Sequence, residues 1–186
     1  LAAISLRGRQ DPDAAAARGD ADDRQITAYL AGELLQQQPP ALQTFLVKTS
    51  ILNRLCGPLC TAVLGTGEGA GDSAIDSARE HLRWLEKNNL FLLALDAEAR
   101  WYRYHQQFQL LLQRQLVEML APVEIAALHA RASAWLANAG YADEALTHAI
   151  AAGDMQAAVH LLAQQRHALM NREEWRTLCR WLCLFD

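Results

Sequence analysis

The residues able to do chemistry in this chain of 186 are few, and their spacing does not suit catalysis. Four cysteines, Cys56, Cys60, Cys179 and Cys183, form two pairs, each spaced i, i+4 in sequence that reads as helix. Structural zinc sites set their thiolates on turns or knuckles, so two pairs at opposite ends of the chain read instead as reduced, buried core residues. His129, His148, His160 and His167 run along helical sequence without a metal-ligand spacing and read as partly buried packing residues. No carboxylate pair stands out as acid and base, and no Ser-His-Asp or Cys-His set does either. The expectation is a chain with no catalytic residues, no metal and no enzymatic activity of its own.

Two features invite a phosphate. Gly65-Thr66-Gly67-Glu68-Gly69-Ala70-Gly71 is glycine-rich, but a phosphate loop needs a lysine for the phosphates and a hydroxyl for magnesium. No lysine follows these glycines and no apolar strand precedes them, so the run reads as a connector. Arg79, Arg83 and Lys87 recur at steps of four on one helix. Asp76, Glu80 and Glu86 share that helix at ion-pair spacing, which favours a solvated or domain-packing face. The rival is a DNA-facing stripe, since the helix before a hairpin is the one winged-helix proteins insert into the major groove.

The elements that must position these groups are legible from periodicity. Residues Leu1 to Leu6 read as the tail of a helix and Arg7 to Asp20 as a linker. Ile26, Leu30 and Leu34, with Tyr29 and Leu35, mark an amphipathic helix ending before Pro39-Pro40. Leu42, Phe45 and Leu46 mark a second that ends near Thr49-Ser50. Gly57-Pro58 opens a third, with proline in the first turn. Asp72-Ser73 caps a fourth, whose buried face is Ile75, Ala78, Leu82 and Leu85. The period then changes: Leu90 to Leu95 and Trp101 to Tyr104 read as strands around an Asp96-Ala97-Glu98-Ala99 turn. A helix from about His105 to Leu120 follows, with Phe108, Leu111, Leu112 and Leu116 inward.

Helices followed by a tight hairpin and one more helix make the order of a winged-helix domain. Beyond Pro122 the sequence is alanine-rich and nothing is strand-like. Helices near Val123–Asn138, Ala142–Ala152, Met155–Met170 and Glu173–Leu184 are expected, with Ala132, Ala145, Ala149 and Ala158 allowing close approach and Trp135, Trp175 and Trp181 as core anchors. The fold class is mainly α. The domains are 1–21, the end of a preceding helical domain and linker; 22–120, the winged helix; and 121–186, the start of a TPR-like helical-repeat superhelix.

Bulk properties agree with this. Half the residues (52%) are hydrophobic and 20% charged, a globular balance. A net charge of −4 lowers the prospect of phosphate-driven nucleic-acid binding by this piece. No apolar run approaches a bilayer's width, so a soluble, cytoplasmic protein without membrane contact is expected. The first residue is Leu1, so the gene is expected to begin further upstream.

The stretches "ITAYLAGELLQQQPPALQTFLVKTSIL", "NNLFLLALD", "WYRYHQQFQLLL" and "ALHARASAWLANAGYADEALTHAIAAGDMQAAVHLL" resemble the middle of the large ATP-binding LuxR-type, maltose-regulator-like transcriptional regulators. These belong to the signal-transduction ATPases with numerous domains. The resemblance runs from about Leu1 to Leu162. It implies an ATP/ADP-binding core upstream as partner of the winged helix, helical repeats that sense an inducer or protein, and a separate DNA-binding domain. It also implies a role for His105: a histidine at this place contacts the phosphates of bound ADP and latches the resting state. The family's Met-His-Asp motif stands here as Tyr104-His105-Gln106, so the helix-capping aspartate is replaced. A histidine opening a helix, where free N–H groups already favour anions, suits that role physically. Asp96 to Arg100 at the hairpin tip are candidate inter-domain contacts.

Overall fold

A computed structural model describes residues 35, 37–65, 71–88, 91–171 and 175–183. The expected N-terminal helix, apart from Leu35, the linker before it and the centre of the glycine-rich run lie outside the described residues. So do the side chains of His167 and Trp175.

Helix α1 spans Pro40–Thr49, with proline at its first position, where the missing N–H costs nothing. Its Leu42, Phe45 and Leu46 are buried, as the periodicity demands. Helix α2 spans Gly57–Leu64 and buries Leu59, Cys60 and Val63. Helix α3 spans Gly71–Lys87 and turns Ala78, Leu82 and Leu85 inward. It begins at Gly71, so Asp72 and Ser73 sit in its first turn and do not cap it from outside; Asp72 there still favours the helix dipole.

Strands β1 (Leu92–Ala94) and β2 (Tyr102–Tyr104) pair antiparallel, Leu92 opposite Tyr104 and Ala94 opposite Tyr102. Both are shorter than the apolar runs suggested. Leu93 and Leu95 face outward at 43% and 48% exposure, although the run is apolar throughout. Leu55 adds a single antiparallel bridge to Tyr102, giving the hairpin a third, one-residue edge. Its N–H donates to the Tyr102 carbonyl at 2.7 Å and its carbonyl accepts at 2.9 Å.

Helix α4, Gln106–Met119, closes the winged helix by burying Phe108, Leu112 and Leu116 at steps of four. Its polar side adds a bond network of its own. Gln109 Nε2 donates to the carbonyls of Ser50 and Leu52, each at 2.9 Å, and Gln113 to that of Ser50 at 3.1 Å. These bonds satisfy backbone that leaves α1 without a helix to follow it. Beneath them Thr49 Oγ1 donates to the Phe45 carbonyl and so accepts from the Tyr104 hydroxyl at 2.8 Å. Burial holds the Tyr104 phenol far above its ordinary pKa, consistent with this donor role.

Four more helices follow: α5 (Pro122–Asn138), α6 (Ala142–Ala151), α7 (Met155–Asn171) and α8 (Trp175–Leu182). Glu124 accepts from the Ala121 N–H at 2.9 Å, restraining the entry to α5. Ala132, Ala145, Ala149 and Ala158 are each at most 1% exposed, so α5, α6 and α7 meet through small residues as the sequence suggested. Winged helix and helical arm share one continuous hydrophobic core. Among the described residues no helix is long and apolar enough to cross a membrane.

Candidate functional site

His105 is the N-cap of α4, at the open end of the hairpin. Its backbone N–H donates to the Phe91 carbonyl at 2.7 Å and extends the hairpin by one rung. Its ring is exposed and makes no hydrogen bond to any described residue, and no side chain caps the helix. Phe91, its cross-strand neighbour, holds a left-handed φ of 52°, a conformation disfavoured for a residue with a Cβ. The junction is thus fixed by backbone and by Phe91 stacking on Phe108, ring centroids 5.1 Å apart, while the imidazole bonds to no described residue.

The hairpin tip lies at the opposite end and is occupied within the chain. Asp96 Oδ1 accepts from the backbone N–H of Arg100 at 2.7 Å and of Trp101 at 3.0 Å. Those bonds, the one from Trp101 first, hold its carboxyl below the ordinary range. Arg79, Arg83 and Lys87 are all exposed, and Arg79 pairs with Asp76 at 3.2 Å. Arg79 and Arg83 border a crevice with the hairpin tip and Trp135 of α5 opposite them. His105 does not line this crevice.

A connection between winged helix and arm gives no signal in the sequence. Arg54, in the loop before α2, forms a two-pronged pair with Glu144 of α6, Nε to Oε2 at 3.0 Å and Nη2 to Oε1 at 2.6 Å. Its guanidinium also lies 3.9 Å from the Tyr141 ring centroid and 4.7 Å from that of Trp101. Trp101 meets Tyr141 edge-on at 5.5 Å and Trp135 at 6.4 Å. One cation is thus held by a carboxylate and two aromatic faces from both parts of the chain. Lower in the seam Arg131 of α5 donates to the Val63 carbonyl at 2.8 Å, satisfying the C-terminal end of α2. Gly65, at φ 66°, ends α2, and a Cβ there would stand 3.1 Å from Arg131 Nε.

Two sequence expectations are corrected here, the partial burial of His160, whose exposed ring lies 2.8 Å from Gln164 Nε2, and the burial of Cys179 and Cys183; His129 and His148 are packed as expected. His129 and His148 are partners: their Nδ1 atoms are 2.8 Å apart across α5 and α6, so one donates and the other accepts. Burial lowers both pKa values, that of His148 to about 4, with His129's charge a further cause. The pairing depends on how two helices cross, which spacing along one chain does not show. Cys179 and Cys183 are exposed, unlike the buried Cys56 and Cys60. Trp181 lies two residues from each, about 200° around the helix, and burying that indole turns both thiols outward. Trp135 is half-buried at the seam. Among the described residues no group of three or more His, Cys, Asp or Glu is placed to hold a metal.

A helical core with a paired hairpin and a closing helix, followed by packed helices, defines a winged-helix regulatory module, and that fold is not in itself enzymatic. Residues 31–123 match the MalT winged helix domain, and the chain belongs to that family. It is 36% identical over 178 residues to the serine/threonine-protein kinase PknK of Mycobacterium tuberculosis, covering 96% of this chain and 15% of the kinase. It is 31% identical over 150 residues to the HTH-type transcriptional regulator MalT of Klebsiella pneumoniae, covering 80% of this chain and 15% of MalT. With MalT of Yersinia enterocolitica the identity is 32% over 150 residues, with the same coverage of 80% and 15%. The chain thus spans about 15% of the length of each of these relatives.

Proposed function

We propose that this chain is the restraining segment of an ATP-dependent transcriptional regulator. Its winged helix holds an upstream nucleotide-binding core in the ADP state, and its helical arm, a TPR-like superhelix in the making, carries the signal of an inducer or protein partner. His105 is the residue that donates to the ADP phosphates. The observation that carries this reading is the exposed imidazole of His105, bonded to no described residue, at a helix N-terminus without a side-chain cap, in a chain of the MalT winged-helix family. A contact made with ADP and weakened with ATP biases a two-state switch toward rest. The shared core and the Arg54 seam support an arm that moves with the winged helix.

The test is to purify the polypeptide extended upstream through its nucleotide-binding core, with and without His105→Ala, and identify the nucleotide each retains. Retention of ADP by the wild type alone, with inducer-free activity in the variant, is the expected result. Equal retention removes the latch role from His105. A second reading, direct DNA contact through Arg79, Arg83 and Lys87, draws on the exposure of Arg83 and Lys87 and on their lack of an ion-pair partner among the described residues. It predicts a steep loss of binding to random duplex with added salt. Absence of binding at low salt eliminates it.

A further inference from the structure

We propose that the crevice between the hairpin tip, α3 and α5 is a binding site for a small planar aromatic carboxylate. The crevice encloses about 360 Å³, within the range that takes a one- or two-ring ligand. Its lining has the two chemistries such a molecule needs. Trp101 and Trp135 stand edge-to-face with ring centroids 6.4 Å apart and offer indole surface to an aromatic ring. Arg79, Arg83 and Arg100 supply guanidinium groups, and among the described residues one carboxylate, Glu98, lines the crevice with them.

Most of the charge around the crevice is paired within the chain, and one arginine is left over among the described residues. Asp96 serves the backbone of the hairpin tip, and Glu86 accepts from the Tyr102 hydroxyl at 3.0 Å. Asp76 holds Arg79 at 3.2 Å, and Arg100 reaches Asp96 and Glu98 only at 3.4 Å. Arg83 has no ion-pair partner among the described residues and is the group that receives the ligand's carboxylate.

Gly57 shapes the wall. A Cβ at this position would stand 2.5 Å from Arg79 Cγ, so the arginine stem lies directly against the α2 backbone. Beside it the Cys56 thiol, raised in pKa by burial, contributes a neutral surface. Because Trp101 also packs on Arg54 and Tyr141, a ligand stacked there touches the same aromatic group that joins winged helix to arm.

The experiment titrates the full chain with 2-naphthoate, 2-naphthylmethanol and inorganic phosphate, following the indole N–H resonances of Trp101 and Trp135. Saturable shifts with naphthoate, at least tenfold weaker binding of the alcohol, and a tenfold loss in Arg83→Gln are expected. Arg83 is exposed, so this variant keeps its fold, as circular dichroism will verify. Gly57→Ala, which displaces the Arg79 stem, is the second variant and weakens naphthoate severalfold. Equal binding of the alcohol reduces the site to a stacking surface and overturns the proposal. So does saturation by phosphate at the same concentration as naphthoate, or a folded Arg83→Gln that binds unchanged.

Discussion

The winged helix and the helical arm hold themselves together by different means. The winged helix buries large aliphatic side chains: Leu46, Leu52, Leu55, Leu59, Leu82, Leu85 and Leu112 are at most 1% exposed. The arm relies more on small ones, with Ala132, Ala145, Ala149 and Ala158 at the contacts between helices and Leu128, Leu136 and Leu146 filling between them. Large residues interlock in one arrangement and penalise displacement. Alanine contacts bring backbones close and leave the crossing to be set by polar pairs such as Ser133 Oγ to the Ala145 carbonyl at 2.8 Å and the His129–His148 bond. The lesson is that one half is specified by volume and the other by close approach with a few polar fixings.

That contrast can be broken by substitution, in descending order of effect. Leu112→Ala, at a position with no exposure, should cost about 2–5 kcal/mol in urea denaturation, because α4 cannot collapse into the gap. The His129–His148 pair should make the arm acid-sensitive. The folded pKa of His148 lies near 4 and the unfolded value at 6.5, so the unfolded chain binds more protons between them. Its contribution is complete above the unfolded pKa and is lost as pH falls from about 6.5 toward about 4, on the order of 2–3 kcal/mol. Denaturation curves at pH 7 and pH 4.5 measure it, and His148→Phe should flatten the difference; an unchanged pH slope in that variant rejects the assignment.

Smaller effects sharpen the comparison. Ala145→Leu should destabilise by about 1–3 kcal/mol through overpacking, where the same change in an exposed turn costs little. The Arg54–Glu144 pair, its side chains 27% exposed on each side, should give a coupling of about 1 kcal/mol in a double-mutant cycle with Arg54→Ala and Glu144→Ala. The smallest effect belongs to His105→Ala, which should shift stability by less than about 0.5 kcal/mol because the exposed ring bonds to no described residue. A larger loss would assign the imidazole to the fold and weaken the latch reading.

Periodicity, proline in a first turn and the change of period at Leu90 determined most of what is local: the helices from α1 to α8 with their buried faces, the hairpin, and the alanine contacts of the arm. His105 at the start of α4 was visible for the same reason, since a strand end and a helix start adjoin in sequence. What the tertiary structure decided is everything that joins distant residues or chooses between two faces. Arg54 and Glu144 are 90 positions apart, His129 and His148 lie on different helices, and Leu93 and Leu95 look like core until the sheet proves to have one buried side. Cys179 and Cys183 turned outward because Trp181 took the inward position on the same helix. Hydrophobic periodicity reports which side of a single element seeks burial, but the partner it meets depends on how the elements pack, and that is settled by the free energy of the assembled core.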